Sequence, residues 1–210
     1  DGKTVKINSK ETVDIVTRFV QEWKNGFDET GLSWDDSSNN RAFLADQISV
    51  TNNGVSIYLT GIKSNPDIAK DMDHAVNPQG PGGRYQTWGA NGFAIMSYSK
   101  SQAAAKEFLK WLFADEQFGV WFRANGGYYV PAVKKWSNDP IWTQDPKLTV
   151  LRDTAKYGRF PGWQAAPGQQ SAEVLAKYLI VDMYAQAVST GNVKASVQNA
   201  ESQLKQIFNA

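Results

Sequence analysis

Apolar residues recur at helical spacing near both ends of this chain, and that pattern constrains the fold more than any other feature. Val13, Val16 and Val20 interleave with Ile15, Phe19 and Trp23 at intervals of three and four, behind Ser9 and ahead of Asn25-Gly26. A second stripe opens at Ser171, uses Val174, Leu175, Tyr178, Leu179, Met183 and Ala187, and stops near Gly191. Val197, Ala200, Leu204 and Ile207 make a third. Each stripe needs apolar cover on one face, so both ends are expected to be helical and packed.

The middle of the chain reads as mixed. Residues 48–51 and 75–76 are expected strands, and the Phe-Ala-Ile-Met run at 93–96 is expected to be a buried one. Helices are expected over 40–46, 55–62, 66–69, 101–113 and 147–157, the last capped by Gly158. On the 101–113 helix, Ala104, Ala105, Phe108, Leu109 and Leu112 form the packing face. Residues 77–83, Asn-Pro-Gln-Gly-Pro-Gly-Gly, give the strongest loop signal, and 128–131 are a short extended piece. With 210 residues the chain is one large domain or two small ones.

Several functional classes fall away on composition. Net charge is +1 with both signs scattered, which leaves no electrostatic footprint for nucleic acid. There is no cysteine and one histidine, His74, so thiol chemistry and zinc sites are not expected, and a serine nucleophile has a single candidate base. The glycines at 80, 82 and 83 do not make a phosphate cradle. No metal or other cofactor is expected. The carboxylates Asp35, Asp36, Asp71, Asp73, Asp115 and Glu116 read as turn and helix-start charges rather than a catalytic pair.

What remains is aromatic. Eight Trp, eight Tyr and ten Phe are present, and many stand in loops beside amides: Trp34, Asn53, Tyr58, Trp88, Asn91, Tyr128, Tyr129, Phe160 and Trp163. Flat apolar rings next to hydrogen-bonding amides suit a neutral, polar ligand such as a sugar. The expected ligand contacts are Trp34, Asn53, Tyr58, Trp88, Asn91, Tyr129 and Trp163.

The order of these elements resembles a known family, the sugar-binding, maltose-binding-protein-like branch of the extracytoplasmic solute-binding proteins that serve ABC transporters. The resemblance is carried by NSKETVDIVTRFVQEWKNG at 8–26, GLSWDDSSNNRAFLADQISVTNNGVSIY at 31–58, the Pro/Gly loop with its following run and helix at 76–117, GGYYVPA at 126–132 and AESQLKQIF at 200–208. It implies an α/β fold of periplasmic-binding-protein type II, represented by its C-terminal half. Residues 1–88 and 136–210 would then form the C-terminal lobe, and 89–135 would cross back to the N-terminal lobe. It further implies a non-enzymatic, periplasmic or extracytoplasmic carrier, its signal segment absent from this sequence, that captures a sugar in an interlobe cleft and delivers it to a membrane permease. A missing N-terminal half, or another chain, would cover open sheet edges. The competing expectation is a carbohydrate-active enzyme or accessory domain, using Asp35 or Asp36 on a sugar held by Trp34 and Trp88.

Overall fold

The computed structural model describes residues 2–89, 91–130, 133–165 and 168–209. In chain order the helices are α1 (Lys10–Gly26), α2 (Ser38–Leu44), α3 (Ser56–Ser64), α4 (Pro66–Asp71), α5 (Gln102–Leu112), α6 (Asp115–Ala124), α7 (Ile141–Gln144), α8 (Thr149–Arg152), α9 (Gln169–Ala176), α10 (Leu179–Thr190) and α11 (Val193–Phe208), with short 3-10 turns between some of them. Two strands, β1 (Gln86–Thr87) and β2 (Gly158–Arg159), pair in parallel, Gln86 opposite Gly158 and Thr87 opposite Arg159. The chain divides into two units, one of residues 1–39 and 160–210, the other of residues 40–159.

The first unit is built by the three stripes. Ser9 caps α1 by accepting from the Thr12 amide at 3.2 Å, and Asn192 caps α11 by accepting from the Ala195 amide at 3.1 Å. Between α10 and α11 the chain reverses at Gly191, whose φ of 70° is cheap only without a Cβ. This places Met183 and Ala187 of α10 against Val197 and Ala200 of α11 and Val16 and Val20 of α1, all buried. The long helix expected from Ser171 is broken. Tyr178 adopts φ 54°, the left-handed region, and separates α9 from α10.

In the second unit the core joins Val55, which caps α3, Tyr58 of α3, Ala69 of α4, Phe122 of α6, and Trp136, Ile141, Trp142 and Leu148. Trp142 donates its indole N–H to the Trp136 carbonyl at 2.9 Å, so a polar edge enters the core satisfied. Gly119 permits the approach of Trp136 to α6: a Cβ there would stand 3.0 Å from the indole. Asp139, also buried, accepts from Arg123 Nη2 at 2.8 Å and Nε at 3.1 Å with one oxygen, and from the Ile141 amide at 3.1 Å with the other.

These observations correct the α/β expectation. The described residues are predominantly helical, and their sheet is a single two-residue ladder, which is not the sheet-rich type II architecture. Extended chain becomes strand only where a neighbour pairs its N–H and C=O groups. Residues 48–51, 75–76 and 93–96 find no such ladder, and Val50 is 85% and Phe93 60% exposed. Helix 101–113 forms as α5, yet none of its residues is buried, and Phe108 and Trp111 are each 54% exposed. The expected helix 147–157 breaks into a 3-10 turn, α8 and a second 3-10 turn, and Gly158 enters β2. Pro131, at the end of the expected extended piece, lies outside the described residues.

Burial predicts opposite outcomes for two aromatic substitutions in the second unit. Phe122→Ala, at a side chain with no exposed surface, should cost about 3–5 kcal/mol. Trp111→Ala should stay within about 0.5 kcal/mol, the range of surface changes. Urea denaturation of the two variants checks both, and comparable losses would count against this core.

Candidate functional site

The second unit carries a row of aromatic rings along α6 and the turn that follows it. Asp115 and Glu116 occupy the first turn of α6, where carboxylates favour a helix start. Phe118, Trp121 and Phe122 then fall three and four residues apart. Phe122 turns into the core, and Trp121 stays 41% exposed. After Asn125, Gly126 (φ 59°) and Gly127 (φ 85°) turn the chain sharply and return Tyr128 and Tyr129 to the helix. Tyr129 stacks on Trp121 with centroids 5.4 Å apart and planes 21° apart, and Tyr128 meets Tyr129 edge-on at 4.8 Å.

In the other direction Phe118 lies 5.5 Å from Trp121 and stacks on Phe113 at 5.8 Å, and Phe113 meets Phe93 edge-on at 5.4 Å. Phe93, Phe113, Trp121 and Tyr128 are all more than two-fifths exposed. Two nearby cations are matched: Arg123 pairs with Asp139 and Lys135 with Asp115, and both cationic groups also approach the Trp136 ring. The row is a surface of ring faces and edges, suited to an apolar or planar group.

The seven residues expected to touch ligand have separate settings. Trp34, in the first unit, closes a 3-10 turn and donates its indole N–H to Thr30 Oγ1 at 2.7 Å. Trp163, also in that unit, is exposed, and its amide donates to the Phe160 carbonyl. In the second unit Trp88 lies over Gly158, where a Cβ would fall 2.8 Å from its ring, and its amide donates to the Arg159 carbonyl. Asn53 and Asn91 are exposed. Tyr129 joins the aromatic row. Sequence reading missed Trp121, Phe118, Phe113 and Phe93 as members of it, although the spacing 118-121-122 before Gly126-Gly127 was the available signal.

Tyr58 is buried in a polar cluster. Its hydroxyl donates to Asp145 Oδ2, its ring meets His74 edge-on at 5.3 Å, and the Lys147 ammonium lies 5.5 Å from its centroid. Lys147 also donates to the Ala69 and Lys70 carbonyls at the end of α4, and its own carbonyl lies 3.1 Å from His74 Nδ1. Burial, and then the Asp145 carboxylate, push the Tyr58 hydroxyl up to about 12. Asp35, the candidate acid, uses one oxygen to accept from the Ser37 amide and from the Ser37 and Ser38 hydroxyls. Among the described residues no group of three or more His, Asp or Glu stands close enough to hold a metal ion, and no helix is long and apolar enough to cross a membrane.

Residues 1–150 match the family model described as bacterial extracellular solute-binding protein. The chain belongs to that family. No curated protein matches it.

Membership in the solute-binding family does not extend to the sugar branch inferred from the sequence. That inference placed a sugar between two sheet-rich lobes, and the described residues of this solute-binding protein supply one two-residue ladder and helices. Sugar capture in an interlobe cleft, delivery to a permease and the role in an ABC importer are corrected with it. The expected open sheet edges are corrected as well, because the described residues hold one two-stranded ladder. The carbohydrate-active alternative also finds no support among the described residues: Asp35 uses one oxygen to hold its own turn, and Trp34 and Trp88, expected to hold the sugar together, belong to different units.

The Tyr58 cluster predicts a pH signature. Between pH 10 and about 12 the folded chain keeps a proton that the unfolded chain loses. The stabilisation is therefore whole below pH 10 and withdrawn as pH rises through about 12. Tyr58→Phe should cost about 1–3 kcal/mol at neutral pH by taking the donor from Asp145 Oδ2, while Oδ1 keeps the Lys147 amide. It should also lose stability less steeply across the alkaline window. Urea midpoints measured from neutral to alkaline pH check this, and an equally steep alkaline fall in the variant would contradict it.

Proposed function

We propose that this solute-binding protein acts by binding without turnover, and that the aromatic row on α6 receives a planar aromatic or heteroaromatic solute. The observation that carries the reading is the Trp121–Tyr129 stack, whose Trp121 ring is 41% exposed beside the half-exposed Tyr128 edge. A planar solute placed there extends an existing stack, with offset and edge contacts that each contribute about 0.5–1.5 kcal/mol beyond area burial. Paired charges around the row, Arg123 with Asp139 and Lys135 with Asp115, favour an uncharged ring over an ion. The family's extracellular character supports a location outside the cytoplasm for this chain.

The test is a titration followed by tryptophan fluorescence and by NMR shifts of the aromatic resonances. Indole and adenine should bind saturably, and cyclohexanol, which has no π-face, should bind more weakly. Trp121→Ala should weaken indole by about 1.4 kcal/mol, roughly tenfold, while Trp111→Ala, outside the row, should leave it unchanged. Equal affinity for cyclohexanol and indole, or no effect of Trp121→Ala, would remove the row from consideration.

A further inference from the structure

The apolar stripes of α1, α10 and α11 cover one another, and Val16, Met183 and Val197 are buried as a result. On α5 the corresponding stripe is left outside. Ala104, Phe108 and Trp111, spaced four and three apart, are all exposed, and the Phe108 and Trp111 rings meet at 5.8 Å. Leu109 and Leu112 continue the apolar side half-buried, and no residue of the helix is buried. A contiguous apolar face with two aromatic rings marks a surface that meets something else.

The charges beside the stripe decide what. Lys106, Glu107 and Lys110 fall on the polar side of α5 and Lys100 precedes it, so residues 100–110 carry three lysines against one acid. Glu107 is held by Lys110 at 2.7 Å, and Lys100 and Lys106 make no ion pair among the described residues. The acids that follow, Asp115 and Glu116, belong to the first turn of α6, where Asp115 is held by Lys135. Helix α9 also has no buried residue, yet it carries no aromatic ring and its one charged residue is Glu173.

We propose that α5 lies flat in the headgroup region of an anionic lipid bilayer and holds the chain on its surface. This goes beyond the solute site and uses neither Trp121 nor Tyr129. A helix of this length is about 16 Å long, too short to cross a hydrocarbon core of about 30 Å, so it enters only in the plane. With Ala104, Phe108 and Trp111 turned into the interface, Trp111 reaches the depth that favours a ring with an apolar body and a polar N–H. The lysines lay their methylene stems along the apolar boundary and bring their ammonium groups to the lipid phosphates. A second copy of the chain is a poorer occupant. A two-fold contact through this face would bring the Lys100, Lys106 and Lys110 of each copy toward those of the other, and like charges oppose it.

The experiment floats the full chain with vesicles of mixed phosphatidylcholine and phosphatidylglycerol, and with vesicles of phosphatidylcholine alone. The chain should float with the mixed vesicles, bind the neutral ones about tenfold or more weakly, and come off the mixed ones as salt rises. Trp111→Ala should lower partitioning onto mixed vesicles about tenfold, the change expected for burying one aromatic side chain. Lys106→Gln should lower it about fivefold. Both variants should keep urea midpoints close to the parent's, and Val50→Ala, at an exposed apolar residue outside α5, should leave partitioning unchanged. Undiminished partitioning by Trp111→Ala would overturn the proposal, as would equal binding to neutral and mixed vesicles. So would a dimer in light scattering that Trp111→Ala abolishes, because the face would then belong to a second copy.

Discussion

Asp139 is the constraint on which the second unit depends. Its carboxylate is buried, and a buried charge is tolerable only when its oxygens are met. Arg123 reaches it from α6 with two N–H groups, and the Ile141 amide meets its other oxygen at the start of α7. Those bonds set the distance between α6 and the Trp136–Trp142 segment. They thereby decide that Phe122 faces the core and that Trp121, one residue earlier, faces out. The aromatic row is thus a by-product of how one acid is satisfied.

The sequence conveyed the first unit better than the second for a physical reason. In α1, α10 and α11 the apolar stripes pack mainly on one another, so periodicity alone names Val16, Met183, Ala187, Val197 and Ala200. The second unit is assembled from short pieces whose partners are distant in sequence, such as Tyr58 with Asp145 and Asp139 with Arg123. Nothing in local spacing announces those. Apolar runs such as 93–96 read as strand because composition cannot say whether a pairing neighbour exists. Tyr178 in a left-handed conformation, with no glycine to advertise it, hid the break between α9 and α10.

Tyr58 and Tyr129 illustrate how far residue type can be read as site. Both are tyrosines near glycine turns. Tyr58 opens into a cluster of Asp145, His74 and Lys147 that ties α3, the end of α4 and the following loop together. Tyr129 lies on the ring of Trp121 instead. Tertiary context, and not the tyrosine, separates the structural member from the candidate contact.

The first unit is closed by segments from both sides of residues 40–159. During synthesis, α1 emerges long before the helices it packs against. The whole second unit, with its own core, can collapse in the interval. Until α10 and α11 arrive, the Val16 and Val20 face of α1 is wet, and the chain carries an adhesive helix that must be shielded or kept dilute. The α10–α11 hairpin, whose contacts are local, forms quickly once made. Docking of α1 onto it is the long-range event that completes the unit, so the arrival of α10 and α11, and not the emergence of α1, governs whether the first helix finds its place.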